Sequence, residues 1–218
     1  MRKKINAILL GYGLLPGLFY IYSKIKEKLL CSLNGKIIGW EGAHIHSGSR
    51  IFNPKFIKMG KNFYSSSPVW IEAVFRYKDQ EFAPIIKIGN NFSCSDGLHI
   101  SAVNHVEIGD NCLLGSNVYI GDHNHGSYSG LLQSLPNVPP AERILHSNGE
   151  IVIGSNTWIG NNVIILAPAS IEEGCIIAAN SIVKGEFSRN TIIAGSPARA
   201  IKEFKETTRT WIRKQKTL

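Results

Sequence analysis

Two histidines stand where a regular apolar pattern stops. The stretch VYIGDHNHGSYSG, residues 118–130, carries His123 and His125 just after the last apolar residue of that pattern, with Asp122 and Asn124 beside them. Neutral imidazole accepts a proton near pH 7, so this pair is suited to general acid–base chemistry. Without further context, two solvated loop histidines are the simpler interpretation.

The apolar pattern that leads to these histidines has a period of six. An aliphatic side chain recurs at every sixth position in one late series, which is Ile153, Ile159, Ile165, Ile171, Ile177 and Val183. Shorter series with the same spacing come earlier: Ile45, Ile51 and Ile57; Met59, Ser65 and Ile71; Ile88, Cys94 and Ile100; Ile108, Leu114 and Ile120. This period fits neither an amphipathic helix nor an alternating strand. Hexads of this kind predict a parallel β-helix, with three hexads in each coil. Glycine often follows the aliphatic position, and we expect tight turns there.

Three interruptions break the period. They fall between Ile71 and Ile88, between Ile100 and Ile108, and over residues 121–152. Because each follows a third hexad, we expect all three to leave the coil at the same corner. Loops as long as the third are usually functional in a compact domain, and this one begins with the two histidines.

The net charge of +8 lies at the two ends of the chain. Residues 1–28 and 199–218 carry about +5 each, which leaves about −2 for the middle. A nucleic-acid-binding domain places its basic residues on the folded face, among aromatic side chains, so we expect no nucleic-acid partner. Basic ends are better suited to an anionic membrane surface or a phosphorylated ligand.

The four cysteines are scattered and include no CxxC pair. This pattern predicts reduced thiols rather than a disulfide framework or a zinc knuckle, as is usual in the cytoplasm.

The N-terminal stretch INAILLGYGLLPGLFYIY, residues 5–22, is apolar and flanked by lysines. No small-residue cleavage site follows it, and glycine and proline interrupt it, so neither a signal peptide nor a regular membrane span is indicated. Two interpretations stay open. One is a helical hairpin packed on the main domain, and the other is an amphipathic anchor at a membrane surface.

A more specific resemblance lies in the second half of the chain. The segments EIGDNCLLGSNVYIGDHNH, IVIGSNTWIGNNVIILAPASIEEGCIIAANSIV and AGSPARAIK resemble the hexapeptide-repeat acyltransferases. The resemblance covers about residues 85–205. It is nearest to the acetyltransferases of bacterial polysaccharide and O-antigen assembly, and to galactoside and maltose acetyltransferases. It implies an all-β fold, a left-handed parallel β-helix, a homotrimer and acetyl-CoA as acyl donor.

These observations predict three parts of the chain. Residues 1–34 form a basic apolar segment that we expect to be helical. Residues 35–200 form the β-helix acyltransferase domain, with a loop at 121–152. Residues 201–218 form a short basic tail, helical or extended against the coil.

The resemblance also assigns the histidines. In galactoside-type enzymes the catalytic histidine is the seventh residue after the valine that opens the last strand before the loop, and this count from Val118 reaches His125. His125 is therefore expected to act as general base for an alcohol that attacks a thioester, with His123 as the competing choice. The family's acidic pair on the preceding coil is replaced by Ala102 and Val103. Asn104 and Asn124 are the candidates for acceptor binding.

For the coenzyme the resemblance points to the late coils. Trp158 and Gly160 would border the pantetheine arm, and Ala179 would leave room for it. The cations Lys184, Arg199 and Lys202 would meet the phosphates. The alternatives are ordinary coil filler for Ala179 and a solvated charge for Lys184. We assign no metal site.

Three other functions are alternatives. An N-acetyltransferase of a nucleotide-linked amino sugar would use similar general-base chemistry. A γ-class carbonic anhydrase needs three zinc-binding histidines at defined separations, which the histidines at 99, 105, 123 and 125 do not reproduce. A non-enzymatic β-helix would want a flat face of repeated threonines. The sequence favours an O-acetyltransferase for a sugar of a bacterial surface polysaccharide or its precursor. Its expected location is the cytoplasm, either free or at the inner face of the membrane.

Overall fold

The computed structural model describes residues 2–214, and the end of the predicted tail, residues 215–218, lies outside them. Two helices open the chain, α1 (Arg2–Tyr12) and α2 (Leu14–Ile38). They are separated by Gly13, whose φ of 81° lies in the region that favours glycine. Helix α1 folds back on α2, because Gly17 has no side chain and lets Leu9 approach closely. The helical N-terminal segment is thus confirmed. Within residues 2–214, neither helix has the length and apolar character of a membrane crossing.

Strands follow α2 along the whole remaining chain. The first ten, in chain order, are β1 (Arg50–Phe52), β2 (Ile57–Met59), β3 (Tyr64–Ser65), β4 (Trp70–Ala73), β5 (Arg76–Tyr77), β6 (Gln80–Glu81), β7 (Ile85–Ile88), β8 (Ser93–Cys94), β9 (His99–Ala102) and β10 (His105–Ile108).

The second half continues the same succession of short strands. These are β11 (Leu113–Leu114), β12 (Tyr119–Gly121), β13 (His123–His125), β14 (Leu145–Ser147), β15 (Ile151–Ile153), β16 (Trp158–Ile159), β17 (Ile164–Ile171), β18 (Ile176–Ile177), β19 (Ile182–Phe187), β20 (Thr191–Gly195), β21 (Ala198–Lys205) and β22 (Thr210–Arg213).

The coils build three parallel faces. The first contains β1, β4, β9 and β12, and the second contains β2, β7, β10 and β15. The long strands β17 and β19 bend around the corner between these two faces and belong to both. The third face contains β3, β8, β11, β16, β18 and β20. The predicted parallel β-helix is therefore confirmed.

The period of six marks the inward-pointing positions. All six members of the late series are at most 1% exposed. Equivalent members stack in register from coil to coil, as Ile71, Ile100, Ile120 and Ile165 do on the first face. The hexads therefore build continuous apolar columns, whose burial stabilises each coil against its neighbours.

Many of the tight turns are made by asparagine, and the glycines that follow the aliphatic position do not have the positive φ of a tight turn. One row of turn residues has φ between 54° and 61°, and side-chain amides join them at 2.9, 3.0 and 3.3 Å in the order Asn62, Asn91, Asn111 and Asn156. Glycines after the aliphatic position serve a different purpose. A Cβ on Gly154 would lie 2.4 Å from the backbone nitrogen of Glu173 on the next coil. The close spacing of the coils, rather than the turn, excludes larger residues.

All three interruptions leave the coil at the corner between the first and second faces, as predicted. They connect β4 to β7, β9 to β10 and β12 to β15. The first insertion contains the hairpin β5–β6, and the third contains the hairpin β13–β14. The two insertions touch, because the side-chain amide of Gln80 donates to the Leu145 carbonyl at 3.1 Å and accepts from its N–H at 2.7 Å.

The C-terminal end of the coil turns antiparallel. Strand β21 runs back along β20, and β22 pairs with β21. Trp211 lies edge-on against Phe204, with 5.4 Å between the ring centroids. Helix α2 extends past residue 34 to Ile38, and β21 crosses residue 200. The domain boundaries at 34 and 200 stay a prediction.

The cysteines are four buried free thiols. Burial raises the pKa of the Cys94 thiol to about 12, so it stays protonated at neutral pH.

Candidate functional site

Both histidines lie on strand β13, at the corner where the longest insertion leaves the coil. The strand pairs antiparallel with β14, so that His123 is opposite Ser147 and His125 is opposite Leu145. Residues two apart on a strand point to the same side. The hairpin therefore presents the two imidazoles on one side of the corner.

A buried carboxylate fixes the start of this strand. The side chain of Asp122 is fully buried and accepts backbone N–H bonds from Val103 at 2.9 Å, Asn104 at 2.8 Å and His105 at 2.9 Å. A buried charge is tolerated only when it is paired or hydrogen-bonded. Two of these donors lie between β9 and β10 and the third is the first residue of β10, so Asp122 connects the hairpin to the preceding coil.

The same carboxylate orients His123. Its Nδ1 lies 3.1 Å from Oδ1 of Asp122, and an ionised carboxylate only accepts hydrogen bonds. The proton of neutral His123 therefore sits on Nδ1, and its Nε2 carries the lone pair. Among residues 2–214, Nε2 has no hydrogen-bond partner. The side chain is only 12% exposed, so a large acceptor has little access to it.

His125 is exposed and faces a tyrosine of the first insertion. Its Nδ1 lies 3.4 Å from Oη of Tyr77, and the two rings meet edge-on with 5.4 Å between centroids. Tyr77 donates its own hydroxyl proton to the Ala141 carbonyl at 2.8 Å. Its oxygen can therefore only accept from His125, and this weak contact favours the proton on Nδ1. The Nε2 of His125 is then free to take a proton from a ligand.

Tyr119 lies over the chain just before these histidines. A Cβ on Gly121 would be 2.2 Å from the Tyr119 hydroxyl, so only glycine lets the ring take this position. Burial raises the pKa of Tyr119, and the Asp122 carboxylate raises it further, which keeps the hydroxyl protonated as a donor.

An aromatic column continues from Tyr119 along the first face. The Tyr119 ring meets His99 edge-on at 5.1 Å, and His99 stacks on Trp70 at 4.2 Å. Burial lowers the pKa of His99, with smaller contributions from Arg50 and His123. Nε2 of His99 and Nε1 of Trp70 are buried, and no described residue bonds to them.

The two predicted acceptor-binding residues lie at the same corner. Asn104 is exposed and donates its side-chain N–H to the Gly149 carbonyl at 3.2 Å. Asn124 lies between the histidines, opposite His146 on the hairpin, and is exposed. The structure thus brings Asn104, Asn124 and both histidines together.

The predicted coenzyme-binding residues lie on the late coils but do not converge within one chain. Trp158 is exposed on the third face, in register with Ile176. Gly160 and Ala179 lie on adjacent coils and are in close contact. A Cβ on Gly160 would lie only 2.7 Å from the Ala179 nitrogen. Gly160 is therefore required by the spacing of the coils, whatever else it does.

Three predicted cations lie near the C-terminal end. Lys184, Arg199 and Lys202 are exposed, and within the described part of the chain none has a carboxylate within ion-pair distance. Lys202 lies opposite Ile192, at the end of the outward row that contains Trp158. Gly121 pairs with strand β17, and Lys184 follows Val183 on β19, the strand one coil beyond β17. The cations are thus free to meet phosphate, but Lys184 lies on β19 whereas Arg199 and Lys202 lie on β21.

One concavity, on the second face, lies elsewhere. A shallow cleft of about 380 Å³ is lined by residues such as Lys58, Lys87, Glu107 and Asp110 and includes none of the predicted site residues. Lys87 and Glu107 form an ion pair at 3.0 Å across it. We locate the site by its chemistry, at the histidine corner. In the described part of the chain, no three His, Cys, Asp or Glu side chains form a group that could hold a metal.

Comparisons with known proteins identify the family. Residues 150–185 match the family model "Bacterial transferase hexapeptide (six repeats)", and residues 105–121 match "Hexapeptide repeat of succinyl-transferase". The chain is 38% identical over 162 residues to the putative lipopolysaccharide biosynthesis O-acetyl transferase WbbJ of Escherichia coli, covering 74% of this chain and 79% of that protein. The chain belongs to the hexapeptide-repeat acyltransferase family.

Two further comparisons agree with this. The acyltransferase is 30% identical over 184 residues to the galactoside O-acetyltransferase of Escherichia coli, covering 80% of this chain and 79% of that one. A crystal structure of AntD, an N-acyltransferase from Bacillus cereus, shares the fold with a TM-score of 0.60 at 20% identity, over 81% of this chain and 90% of that one. The expected left-handed β-helix and the expected acetyltransferase activity are confirmed.

Sequence reasoning missed the residues that surround the histidines. Tyr77 lies 48 positions before His125 in another insertion, and no motif connects them. The column of His99 and Trp70 follows an outward position of the hexads, and only the inward position carries the repeat signal. The one signal in the sequence that could have predicted this column is an aromatic residue at the same outward position of successive coils.

Proposed function

We propose that this acetyltransferase transfers the acetyl group of acetyl-CoA to a hydroxyl of a sugar in a bacterial surface polysaccharide or its precursor. The observation that carries the proposal is the exposed imidazole of His125 at a corner of the coil. The chain around it is 38% identical over 162 residues to a putative lipopolysaccharide O-acetyl transferase. A second relative, the galactoside O-acetyltransferase, also acts on a sugar hydroxyl by its name.

In this proposal His125 is the general base. Its Nε2 takes the proton of the acceptor hydroxyl while the oxygen attacks the acetyl carbonyl, and the coenzyme leaves as a thiolate. Direct transfer needs no covalent enzyme intermediate when both substrates are held together. His125 is favoured over His123 because a sugar can reach an exposed ring, whereas His123 is nearly buried.

His123 then has a positioning role. Its contact with Asp122 fixes the start of β13 and so the position of His125 two residues later. Asn104 and Asn124 lie at the same corner and would contact acceptor hydroxyls. Tyr119, kept protonated, is a further donor at this place.

Acetyl-CoA is the acyl donor, and it supplies the activated thioester. The exposed side chains that fit it are Trp158 and Ala179 for the pantetheine arm, with Gly160 beneath, and Lys184, Arg199 and Lys202 for the phosphates. The fit is supported by the lack of carboxylate partners for these cations among residues 2–214.

The proposed assembly is a homotrimer with active sites between neighbouring subunits. Within one chain the histidine corner and the row of Trp158 lie on different parts of the coil. A neighbouring copy can bring the two together, since an insertion that leaves one coil can cover the next. We place this trimer in the cytoplasm, at the inner face of the membrane.

The experiment is a transfer assay with purified protein, radiolabelled acetyl-CoA and a panel of free sugars, oligosaccharides and nucleotide-linked amino sugars. We expect label on a neutral sugar or oligosaccharide, in a product that alkaline hydroxylamine cleaves as an ester. A hydroxylamine-resistant amide, formed only on the amino sugars, would contradict O-acetylation. It would support the alternative, an N-acetyltransferase of a nucleotide-linked amino sugar. A relative that is 33% identical over 139 residues is named a dTDP-4-amino-4,6-dideoxy-D-glucose acyltransferase.

A further inference from the structure

Helix α2 exposes an apolar stripe along its whole length. Seven large side chains, each at least 49% exposed, recur at spacings of three and four: Leu15, Leu18, Tyr22, Ile25, Leu29, Leu33 and Ile37. Residues with this spacing lie on one side of a helix. At 1.5 Å per residue the stripe is about 33 Å long. Leu10 and Tyr12 of α1 are exposed as well.

The opposite side of α2 is fixed to the base of the coil. Cys31 and Gly35 are buried, and a Cβ on Gly35 would lie 2.3 Å from the Ala43 carbonyl oxygen. Asn34 also donates to the Ile45 carbonyl at 3.1 Å. The stripe therefore cannot turn inward without breaking these contacts.

Exposed lysines accompany the stripe. Of the four exposed lysines of α2, Lys26 and Lys36 lie on the side of the stripe, whereas Lys24 and Lys28 have the spacing of the buried Cys31 and Gly35. The one acidic residue of α2, Glu27, is already paired with Lys24 at 3.1 Å and with His46 at 2.8 Å. The surface is therefore apolar and cationic, which is complementary to an anionic lipid surface.

Two of these lysines lie within the stripe itself. Lys26 comes four residues after Tyr22 and three before Leu29, and Lys36 comes three after Leu33. In a symmetric contact between copies of this helix, these cations would be brought together in an apolar interface, at a high cost. At a membrane surface their long side chains can keep the ammonium groups in the headgroup layer.

We infer that the exposed side of helix α2 docks on the anionic surface of a membrane, with the helix lying in the plane of the headgroups. The occupant is a bilayer that contains acidic phospholipid. The surface holds the base of the coil against the membrane. This inference deepens the proposed location of the enzyme and does not depend on which residue is the base.

The test is sedimentation of the full chain with two kinds of vesicle, pure phosphatidylcholine and phosphatidylcholine with phosphatidylglycerol. We expect binding to the acidic vesicles alone, weakened by added salt. The double variant Lys26→Gln/Lys36→Gln should bind about 10- to 30-fold more weakly, since each lysine near such a surface contributes about fivefold. The variant Leu18→Gln/Leu29→Gln should also lose binding.

A matched control comes from the long insertion. Leu131 and Leu132 are 102% and 89% exposed, so Leu131→Gln/Leu132→Gln makes the same chemical change away from α2 and should bind vesicles normally. The inference is wrong if the full chain ignores acidic vesicles or if the control loses as much binding. It is also wrong if Leu18→Gln/Leu29→Gln changes the oligomeric mass in light scattering, because a second copy then covers the stripe. Acetyl transfer to a soluble acceptor, measured in parallel without vesicles, reports separately on the proposed reaction.

Discussion

At the scale of single residues, Asp122 is the group on which the geometry of the histidine corner depends. Its buried carboxylate accepts three backbone N–H bonds from residues 103–105 and a fourth bond from His123. Hydrogen bonds to a charged acceptor are stronger than neutral ones. The carboxylate therefore connects two coils and sets the tautomer of one imidazole at the same time.

We expect Asp122→Asn to destabilise the protein by about 1–3 kcal/mol, because an amide nitrogen would face donors that now meet an oxygen. Urea unfolding of the two proteins measures the difference in the free energy of unfolding. The matched control is Asp96→Asn, whose carboxylate is exposed and 3.4 Å from the Ser66 hydroxyl. Equal stability of Asp122→Asn and the control would show that the buried contacts are not important.

The sequence pointed to His125 but not to its surroundings. The resemblance to galactoside-type enzymes gives the position of His125 by a count along one strand, which is a local property. The contact with Tyr77 depends on how two insertions meet, and the three bonds to Asp122 depend on the bend of the chain between β9 and β10. Neither is encoded in a spacing that can be read along the chain.

At the scale of elements, the hexads predicted the coil because the six-residue spacing of the apolar side chains shows which positions point into the core. An inward position must be apolar on every face, so the pattern is visible without knowing which coils touch. Ser65 is an exception to this rule. Its side chain is fully buried, but its hydroxyl accepts an N–H bond from His46, so a polar residue is tolerated at this inward position. The antiparallel strands β21 and β22 were not predicted, since the hexads end before them.

Ile165 tests the inward column directly. It is 0% exposed, and Ile165→Ala should lower the free energy of unfolding by about 2–5 kcal/mol because a cavity is left in the column. The neighbouring Ile164 points outward and is only partly buried, so Ile164→Ala should cost about 1 kcal/mol or less. Thermal or urea unfolding compares the two variants. If both lose the same amount, the alternation of inward and outward positions on β17 is wrong.

At the scale of the whole molecule, the chain has a polar histidine corner, a cationic C-terminal end and an apolar helix at the base. The coil is a rigid spacer that holds these three surfaces at fixed separations. The sequence showed the charged ends but not their separation, which depends on the number of coils and on the direction of α2. In the proposed assembly, a membrane-docked base would keep the histidine corners close to lipid-linked acceptors.

In the proposed reaction, the His125 imidazole removes the proton of the acceptor hydroxyl. The measurement compares His125→Ala with His123→Ala, in both acetyl transfer to the best acceptor and calorimetric binding of acetyl-CoA. We predict that His125→Ala loses about 10²- to 10⁴-fold in transfer rate, as expected for removal of a general base, while its affinity for acetyl-CoA changes less than about twofold. His123→Ala should retain much more activity. Normal turnover of His125→Ala, together with loss of activity in His123→Ala, would contradict the account.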